Sequence, residues 1–505
     1  MNTKSLLSDA RAEQLPETLG IRTACGIQRF QDLFSQPLET KIEKLQERQQ
    51  VLFSYRNQSS EKLMKNAKCF QTIQQIEPLL ASVRKPTSLE KESVEQILFS
   101  NTYHLQILNT LPFLLMVVSL WKQYVVPVLA VTLPLLFFIL PYLTMKVLYK
   151  LPITFKEYTK IFCVTLGIPM DSGKLDWKQS GQLLFTAISM GQSIYQPIQT
   201  SYHIQNIEKD IHKKANALLE LKRVFVELYP EKASFVEDFD SQDRYRTFAE
   251  GWDLPFRVEV ILWMIGDMEV IHSIATHKNL RATKFNSRGY VTMKSLVDPL
   301  LQNSKPNSFF FTPKRHHSLL TGPNGGGKST ALRCILLNII FSQRMGVCFT
   351  TEDGFASLHP FDWIQSGLHL EDTPGKLSMF EREVQFAATA LQRQRMNPTK
   401  RGLLLFDELF HSTNPPDGER TARVFLSQVW AQSTLSSIIS THVFSLAETS
   451  ANHIQKLCVP AEPLPDGTLR FSYTLQPGIC KVSSVDLVLQ KCGFFPPGKP
   501  GGEKE

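Results

Sequence analysis

Three features of the sequence predict an α/β P-loop domain preceded by an all-α domain that carries an apolar helical hairpin. A glycine-rich loop, Gly322 to Thr330, stands between a short apolar run and an amphipathic stretch. A second apolar run ends in the carboxylate pair Asp407-Glu408. Two uncharged runs, Leu105 to Trp121 and Val125 to Met145, interrupt otherwise charged helical sequence.

The loop reads Gly322-Pro323-Asn324-Gly325-Gly326-Gly327-Lys328-Ser329-Thr330, follows Ser318-Leu319-Leu320, and leads into Leu332, Ile335, Leu336, Ile339 and Ile340 on one helical face. The pattern G-x-x-x-x-G-K-[ST] suits phosphate because glycines let backbone N–H groups curl around the anion and a helix N-terminus favours negative charge. Lys328 is expected to reach the β- and γ-phosphates of ATP, and the Ser329 hydroxyl to hold Mg²⁺.

Downstream, Gly402-Leu403-Leu404-Leu405-Phe406-Asp407-Glu408 reads as a buried parallel strand of Walker B type. At its C-terminal end Asp407 is expected beside Mg²⁺. Glu408 is expected to orient or deprotonate the attacking water. A third apolar run, Ser437-Ile438-Ile439-Ser440, ends at Thr441-His442. Alone, a histidine there would be an ordinary capping residue; third in a series of strand ends at one crevice, His442 is expected to sense the γ-phosphate.

At 505 residues the chain exceeds what one hydrophobic core usually serves. Its eight cysteines form no C-x-x-C pair, and nothing in Met1 to Phe30 resembles a secretory leader, so an intracellular, ATP-containing compartment is expected. The net charge of +8 is compatible with nucleic acid or an anionic membrane surface and is also ordinary for solubility.

The two apolar runs have the length of membrane spans, which take about 17–25 residues. Trp121 and Tyr124 flank Lys122, and Tyr142 precedes Lys146 and Lys150, as interfacial anchors would. Pro112, Pro127, Pro134 and Pro141 are tolerable in lipid-embedded helices. A buried hairpin in a soluble helical domain stays open as the alternative. Around these runs, Ile42 to Val51, Ile204 to Tyr229 and Val258 to Ala275 have helical periodicity. The expected organisation is a tail at 1–22, a helical domain at 23–104 and 147–280, a two-span hairpin at 105–146, the ATPase domain at 281–480, and a C-terminal segment at 481–505. Its Pro/Gly-rich end, Phe495 to Gly502, is expected to be disordered.

These residues resemble the MutS-type ATPases of DNA mismatch repair and their shorter relatives. Thr321-Gly322-Pro323-Asn324 with Gly326-Gly327-Lys328-Ser329-Thr330 is close to that family's T-G-P-N-x-G-G-K-S-T. Ser378-Met379-Phe380 with Glu383 resembles its S-x-F-x-x-E signature. Asp407-Glu408, Thr413 and Asp417-Gly418 keep the spacing of D-E-x-G-x-G-T-S-x-x-D-G, and Thr441-His442 with Leu446 fits T-H-x-x-x-L. The resemblance implies an ABC-type ATPase domain behind a helical lever domain. It also implies a homodimer or family heterodimer, in which Ser378 acts on the partner's ATP, and DNA as a partner.

Two departures stand out. Phe410-His411-Ser412 replaces the family's Gly-x-Gly, and no N-terminal mismatch-reading domain is expected before the lever. Phe155-Lys156-Glu157, Phe235-Val236-Glu237 and Phe248-Ala249-Glu250 imitate the family's Phe-x-Glu wedge, but 33 phenylalanines produce such tripeptides by chance. Two readings follow. One is a DNA-directed ATPase. The other is a membrane-anchored switch or scaffold that binds lipid through 105–146, reads no mismatches, and keeps both termini on one side. A nucleotide-binding module with little turnover is disfavoured, because Lys328, Ser329, Asp407, Glu408 and His442 are all of the required type.

Overall fold

The computed structural model describes residues 3–98, 108–109, 111–165, 177–239, 242–369, 378–464 and 469–482. By its internal contacts the chain divides into one unit formed by Met1–Ala67 with Trp263–Glu505 and another formed by Lys68–Leu262. The Pro/Gly-rich end and residues 105–107 of the first apolar run lie outside the described residues.

The first unit begins with α1 (Thr3–Asp9), α2 (Leu15–Leu19), α3 (Ala24–Ser35) and α4 (Ile42–Arg56), followed by the start of α5 (Ser60–Arg84). In the second unit α5 leads to α6 (Ser88–Val94), α7 (Pro112–Leu120), α8 (Val126–Leu143), α9 (Phe155–Thr165), α10 (Trp177–Leu228), α11 (Arg244–Asp253) and the first turns of α12 (Pro255–Thr276). The first unit then resumes with β1 (Leu280–Phe285), β2 (Val291–Leu296), β3 (Asn307–Phe311), β4 (His317–Thr321), α13 (Lys328–Met345), β5 (Val347–Leu358), β6 (Trp363–Gly367) and α14 (Met379–Met396). It closes with β7 (Gly402–Phe406), α15 (Pro415–Trp430), β8 (Leu435–Ser440), α16 (Phe444–Glu448), β9 (Gln455–Cys458), β10 (Ala461–Pro463), β11 (Leu469–Phe471) and β12 (Gln476–Pro477).

A six-stranded sheet, ordered β12-β9-β4-β8-β7-β6, is the frame of the first unit. β9, β4, β8, β7 and β6 are parallel, and β12 is antiparallel to β9. Strands of a parallel sheet are covered on both faces, which is why β7, β8 and, after His317, β4 read as apolar or small-residue runs and are buried throughout. Alternation still sorts their side chains: Leu320, Leu403, Leu405 and Ile438 join the core under α13, while Leu319, Leu404, Phe406 and Ile439 join the one under α14 and α15. The same unit holds a second sheet, β1-β5-β2-β3, and the pair β10-β11.

Residues 23–56, expected in the helical domain, pack on α13 instead. Phe34 stacks on Phe30 at 4.2 Å and meets Phe341 at 4.8 Å; burying each such side chain contributes about 1.5–3 kcal/mol. Arg344, at the end of α13, donates to the carbonyls of Pro37 (2.7 Å) and Phe34 (3.0 Å), and Gln343 exchanges hydrogen bonds with the backbone of Phe361. Among the described residues, these side chains find their partners in the N-terminal segment and the strand connection, which helps fix where α3 and α4 sit.

The expected two-span hairpin with a turn at Lys122 does not form. Phe113–Leu148 is one continuous helix, in which α7 passes through a π-helical turn (Trp121–Val125) into α8 and a second π turn (Thr144–Leu148). A single lysine is a good helix former and no breaker, and Lys122 Nζ donates to the Gln96 carbonyl at 2.5 Å. Pro127 stands just after the π-helical turn, where the widened hydrogen-bond pattern accommodates its missing N–H, and Pro134 and Pro141 stay within the helix. The core of this unit joins Val83, Val94, Leu115, Ile204, Ile211 and Phe248.

Candidate nucleotide site

The phosphate loop leaves β4 at its C-terminal end and enters α13 through Gly327, whose φ of 98° lies in the left-handed region that glycine adopts freely. At Gly322 a β-carbon would come within 2.9 Å of the Val459 carbonyl oxygen, so the close approach of β9 also requires glycine. Lys328 is buried, and its ammonium donates to the carbonyls of Gly322 (2.9 Å) and Pro323 (3.1 Å). Burial pushes its pKa down, opposed by the nearby carboxylates of Asp407 and Glu408.

β8 lies between β4 and β7, so three consecutive strand ends meet at one edge of the sheet. Ser440, the last residue of β8, ties the edge together: its hydroxyl donates to Asp407 and accepts from the Glu408 N–H at 2.8 Å. Glu408 has φ 53°, an uncommon value for a non-glycine residue, and faces His442, whose Nε2 lies 3.2 Å from Oε1. The His442 hydrogen bond holds the Glu408 carboxyl below its usual range against the opposing effect of burial, with His442, His411 and Lys328 adding favourable charge. The carboxylate form of Glu408 is therefore favoured.

A cleft of about 290 Å³ is lined by Ser329, Asp407 and Glu408 together with Arg333, Glu383 and His411. Ser329 and Asp407, a hydroxyl and a carboxylate on one cleft, are a donor pair suited to Mg²⁺, a hard cation that prefers oxygen ligands. Ser378 is not on the lining. It caps α14 in a reciprocal pair with Glu381, the Ser378 N–H reaching Glu381 Oε2 at 2.8 Å and the Glu381 N–H reaching Ser378 Oγ at 3.2 Å.

Sequence reading missed four contributors. Arg333 is one turn beyond Ser329 on α13, and its spacing was a usable signal; burial depresses its pKa, opposed by Asp298 and Asp407. Ser440 immediately precedes Thr441-His442 and was legible as a strand end, though not as a donor. The other two surround Glu383, a buried carboxylate: His411 Nδ1 lies 2.9 Å from its Oε1, and Ser412 Oγ donates to the same oxygen at 2.7 Å. Phe410, where the resembled pattern has glycine, adopts φ 51°. That conformation costs an ordinary residue about 1–2 kcal/mol. Burial of the ring among Phe380, Phe406 and Phe425 offsets it.

Residues 318–497 match the family of MutS domain V, an ATPase domain. The chain is 26% identical over 283 residues to the DNA mismatch repair protein MutS of Oceanobacillus iheyensis, covering 54% of this chain and 30% of that protein. It is 31% identical over 180 residues to the protein of the same name from Streptococcus equi subsp. equi, covering 35% of this chain and 20% of the relative. The endonuclease MutS2 of Lachnoclostridium phytofermentans is 28% identical over 224 residues, covering 43% and 27%. The matches thus span less than a third of these relatives' own length. The domain V match runs through the phosphate loop, the carboxylate pair and the strand ending at His442, so this part of the chain is similar to the ATPase domain of MutS-family proteins.

Proposed function

We propose that the chain is an ATPase that closes two nucleotide sites across a dimer and couples hydrolysis to DNA binding. The observation that carries this reading is the Glu408 carboxylate, held ionised by His442 on the same cleft as Ser329 and Asp407. Lys328 turns from its loop carbonyls toward the β- and γ-phosphate oxygens, and the N-terminus of α13 faces the anion. Glu408 accepts a proton from water as the water oxygen bonds to the γ-phosphorus. The bond to the β–γ bridging oxygen breaks, and ADP leaves with phosphate. When bound, Mg²⁺ would be held by Ser329 and Asp407 and would neutralise phosphate charge. His442 keeps the Glu408 carboxylate oriented. Ser378, outside its own cleft, is free to meet the ATP of a partner copy or a family heterodimer partner. The net charge of +8 supports phosphate contacts to DNA, whose affinity would fall steeply with salt.

A second reading has its own observation. The helix Phe113–Leu148 is apolar enough to cross a membrane and its most apolar stretch is unburied, which favours a membrane-anchored ATPase switch that reads no mismatches. Steady-state ATP hydrolysis with no DNA, paired duplex, mismatched duplex, branched DNA or lipid vesicles, at low and moderate salt, tests both. A rate changed by one DNA form supports the first; a rate indifferent to every DNA form and responsive to vesicles replaces it with the second.

A further inference from the structure

The helices of the second unit change environment abruptly at one level. Below it they are packed: Leu115 of α7 and Ile204 and Ile207 of α10 lie in the core. At the boundary stands a polar tie. Gln123 is buried and donates to Ser119 Oγ (2.8 Å) and to Glu208, Ser201 Oγ donates to the Gln123 carbonyl at 2.6 Å, and the Tyr245 hydroxyl donates to Glu208 at 2.5 Å. Beyond it, no described side chain in 124–149 or 181–200 is buried. Leu133, Phe137 and Leu140 on α8, and Leu184, Phe185 and Ile188 on α10, stand exposed.

The same two stretches are uncharged. Residues 123–145 and 179–207 contain no Asp, Glu, Lys or Arg; charge returns at Lys146, Lys150, Lys156 and Lys160 on one end and at Glu208 on the other. α9 folds back on the distal part of α8, with the Tyr158 hydroxyl donating to the Phe138 carbonyl at 2.5 Å and Phe162 edge-on to Phe138 at 4.8 Å. α8 and α10 are themselves in contact.

These facts select the partner. Helices exposing large apolar side chains in bulk are not stable in water, and apolar surface on this scale marks an interaction site. Limbs without cations cannot hold a phosphate backbone. A protein groove would cover one face of one helix, whereas here both helices are bare around most of their circumference. Tyr124 to Leu148 spans about 37 Å at 1.5 Å per residue, against about 30 Å of hydrocarbon. Trp121 and Tyr124 mark the near rim, and Tyr142, Lys146 and Tyr149 the far one, with the Lys146 ammonium 5.4 Å from the Tyr142 ring centre.

We propose that residues 179–200 of α10 are the second limb of a lipid-embedded hairpin whose first limb is α8 and whose far end is capped by α9. The inference rests on the membrane reading above and deepens it. Hydropathy overlooks this limb because five glutamines, Gln179, Gln182, Gln192, Gln196 and Gln199, dilute its apolar residues. Uncharged amides can hydrogen-bond between helices in lipid, whereas charges are far costlier there. The chain thereby returns to the side it left, so the segments before 123 and after 200 share one compartment.

The test uses the full chain and vesicles of phosphatidylcholine and phosphatidylglycerol. Wild type is expected to float with the vesicles and to stay bound in about 1 M salt, where surface electrostatic attachment is screened. Phe185→Asp with Ile188→Asp is expected to lower the floated fraction by about tenfold or more, as is Leu133→Asp with Phe137→Asp, with helix content by circular dichroism unchanged. Phe185→Trp should gain fluorescence that brominated lipid quenches. Failure of wild type to float overturns the membrane reading and this inference together. If wild type floats, the α8 variant does not, the α10 variant still does and the fluorescence gained by Phe185→Trp is unquenched, the membrane reading stands and the α10 limb is refuted.

Discussion

β7 and α8 are both apolar and uncharged, yet every residue of β7 is buried and none of α8 is. Composition alone does not separate them. The difference lies in what their neighbours supply. β7 has backbone partners on both edges in β6 and β8, and side-chain partners on both faces from the α13 side and the α14–α15 side. α8 hydrogen-bonds along its own length and, among the described elements, packs against α9 and α10, which leaves its large apolar side chains exposed. A buried strand can deliver chemistry at its end because its position is over-determined, whereas an unburied helix can only offer area.

Substitution by aspartate should expose that difference most. Leu404 is fully buried, and Leu404→Asp places an unpaired carboxylate in the sheet, at an expected cost of at least about 4 kcal/mol and loss of a folded nucleotide unit. Leu135, 54% exposed, should change stability by no more than about 0.5 kcal/mol on the same replacement. Urea unfolding followed by intrinsic fluorescence compares the two, and equal effects would break the contrast.

At the end of β7 the expected effects are on rate. Glu408→Gln should retain ATP binding and lower turnover by about 10²–10⁴-fold, since an amide cannot take the proton. Lys328→Ala should abolish tight ATP binding. Isothermal titration beside steady-state hydrolysis separates these outcomes; normal turnover in the Glu408 variant would move the base elsewhere.

Burial of the strands also stores a proton-linked contribution. His317 opens β4, is 2% exposed and bonds to Ser437 Oγ at 2.9 Å. Burial, then the neighbouring His316, push its pKa from the ordinary 6.5 down to about 3. Between those values the unfolded chain binds a proton that the folded chain refuses. Stability is therefore complete above 6.5 and falls as pH drops toward 3, by at most about 1.4 kcal/mol per pH unit for this group. The urea midpoint should decline from about pH 7 to about pH 5, and His317→Gln should flatten the decline. An unchanged slope in the variant would assign the acid sensitivity to other groups.

The contrast also explains what could be read from sequence. β4 with its loop, β7 and β8 carry local signals: apolar runs, glycines with unusual φ values, and polar residues at strand ends. The packing of α3 and α4 on α13 was not legible, because it depends on Arg344 and Gln343 finding carbonyls some three hundred positions away in the chain. The turn assigned at Lys122 came from treating a charge as a helix end, when the Gln96 carbonyl lets it stay within the helix. The return limb in α10 was hidden because its uncharged amides lower hydropathy without adding charge.

The smallest expected effect concerns His411, which occupies a place where the family pattern specifies no residue type. Its Nδ1 lies 2.9 Å from the buried Glu383 of the signature helix and 3.1 Å from the Glu408 carbonyl, and its Nε2 is 4.0 Å from Glu408 Oε2. Glu383 has a second buried oxygen without a hydrogen-bond partner among the described residues. His411 therefore bridges the helix that starts at Ser378 and Glu408, and on the ATPase reading it would act as a positioning residue for the base. After the His442 hydrogen bond, it is also one of the charges that hold the Glu408 carboxyl low. His411→Ala should lower kcat by about three- to tenfold, roughly 0.7–1.4 kcal/mol, with little change in KM. The acid limb of the pH–rate profile should move upward, because Glu408 loses part of what keeps it ionised. A space-filling role would lower stability and leave that limb where it was; an unmoved limb in the variant therefore refutes the positioning role, and a shifted one ties the signature helix to the base.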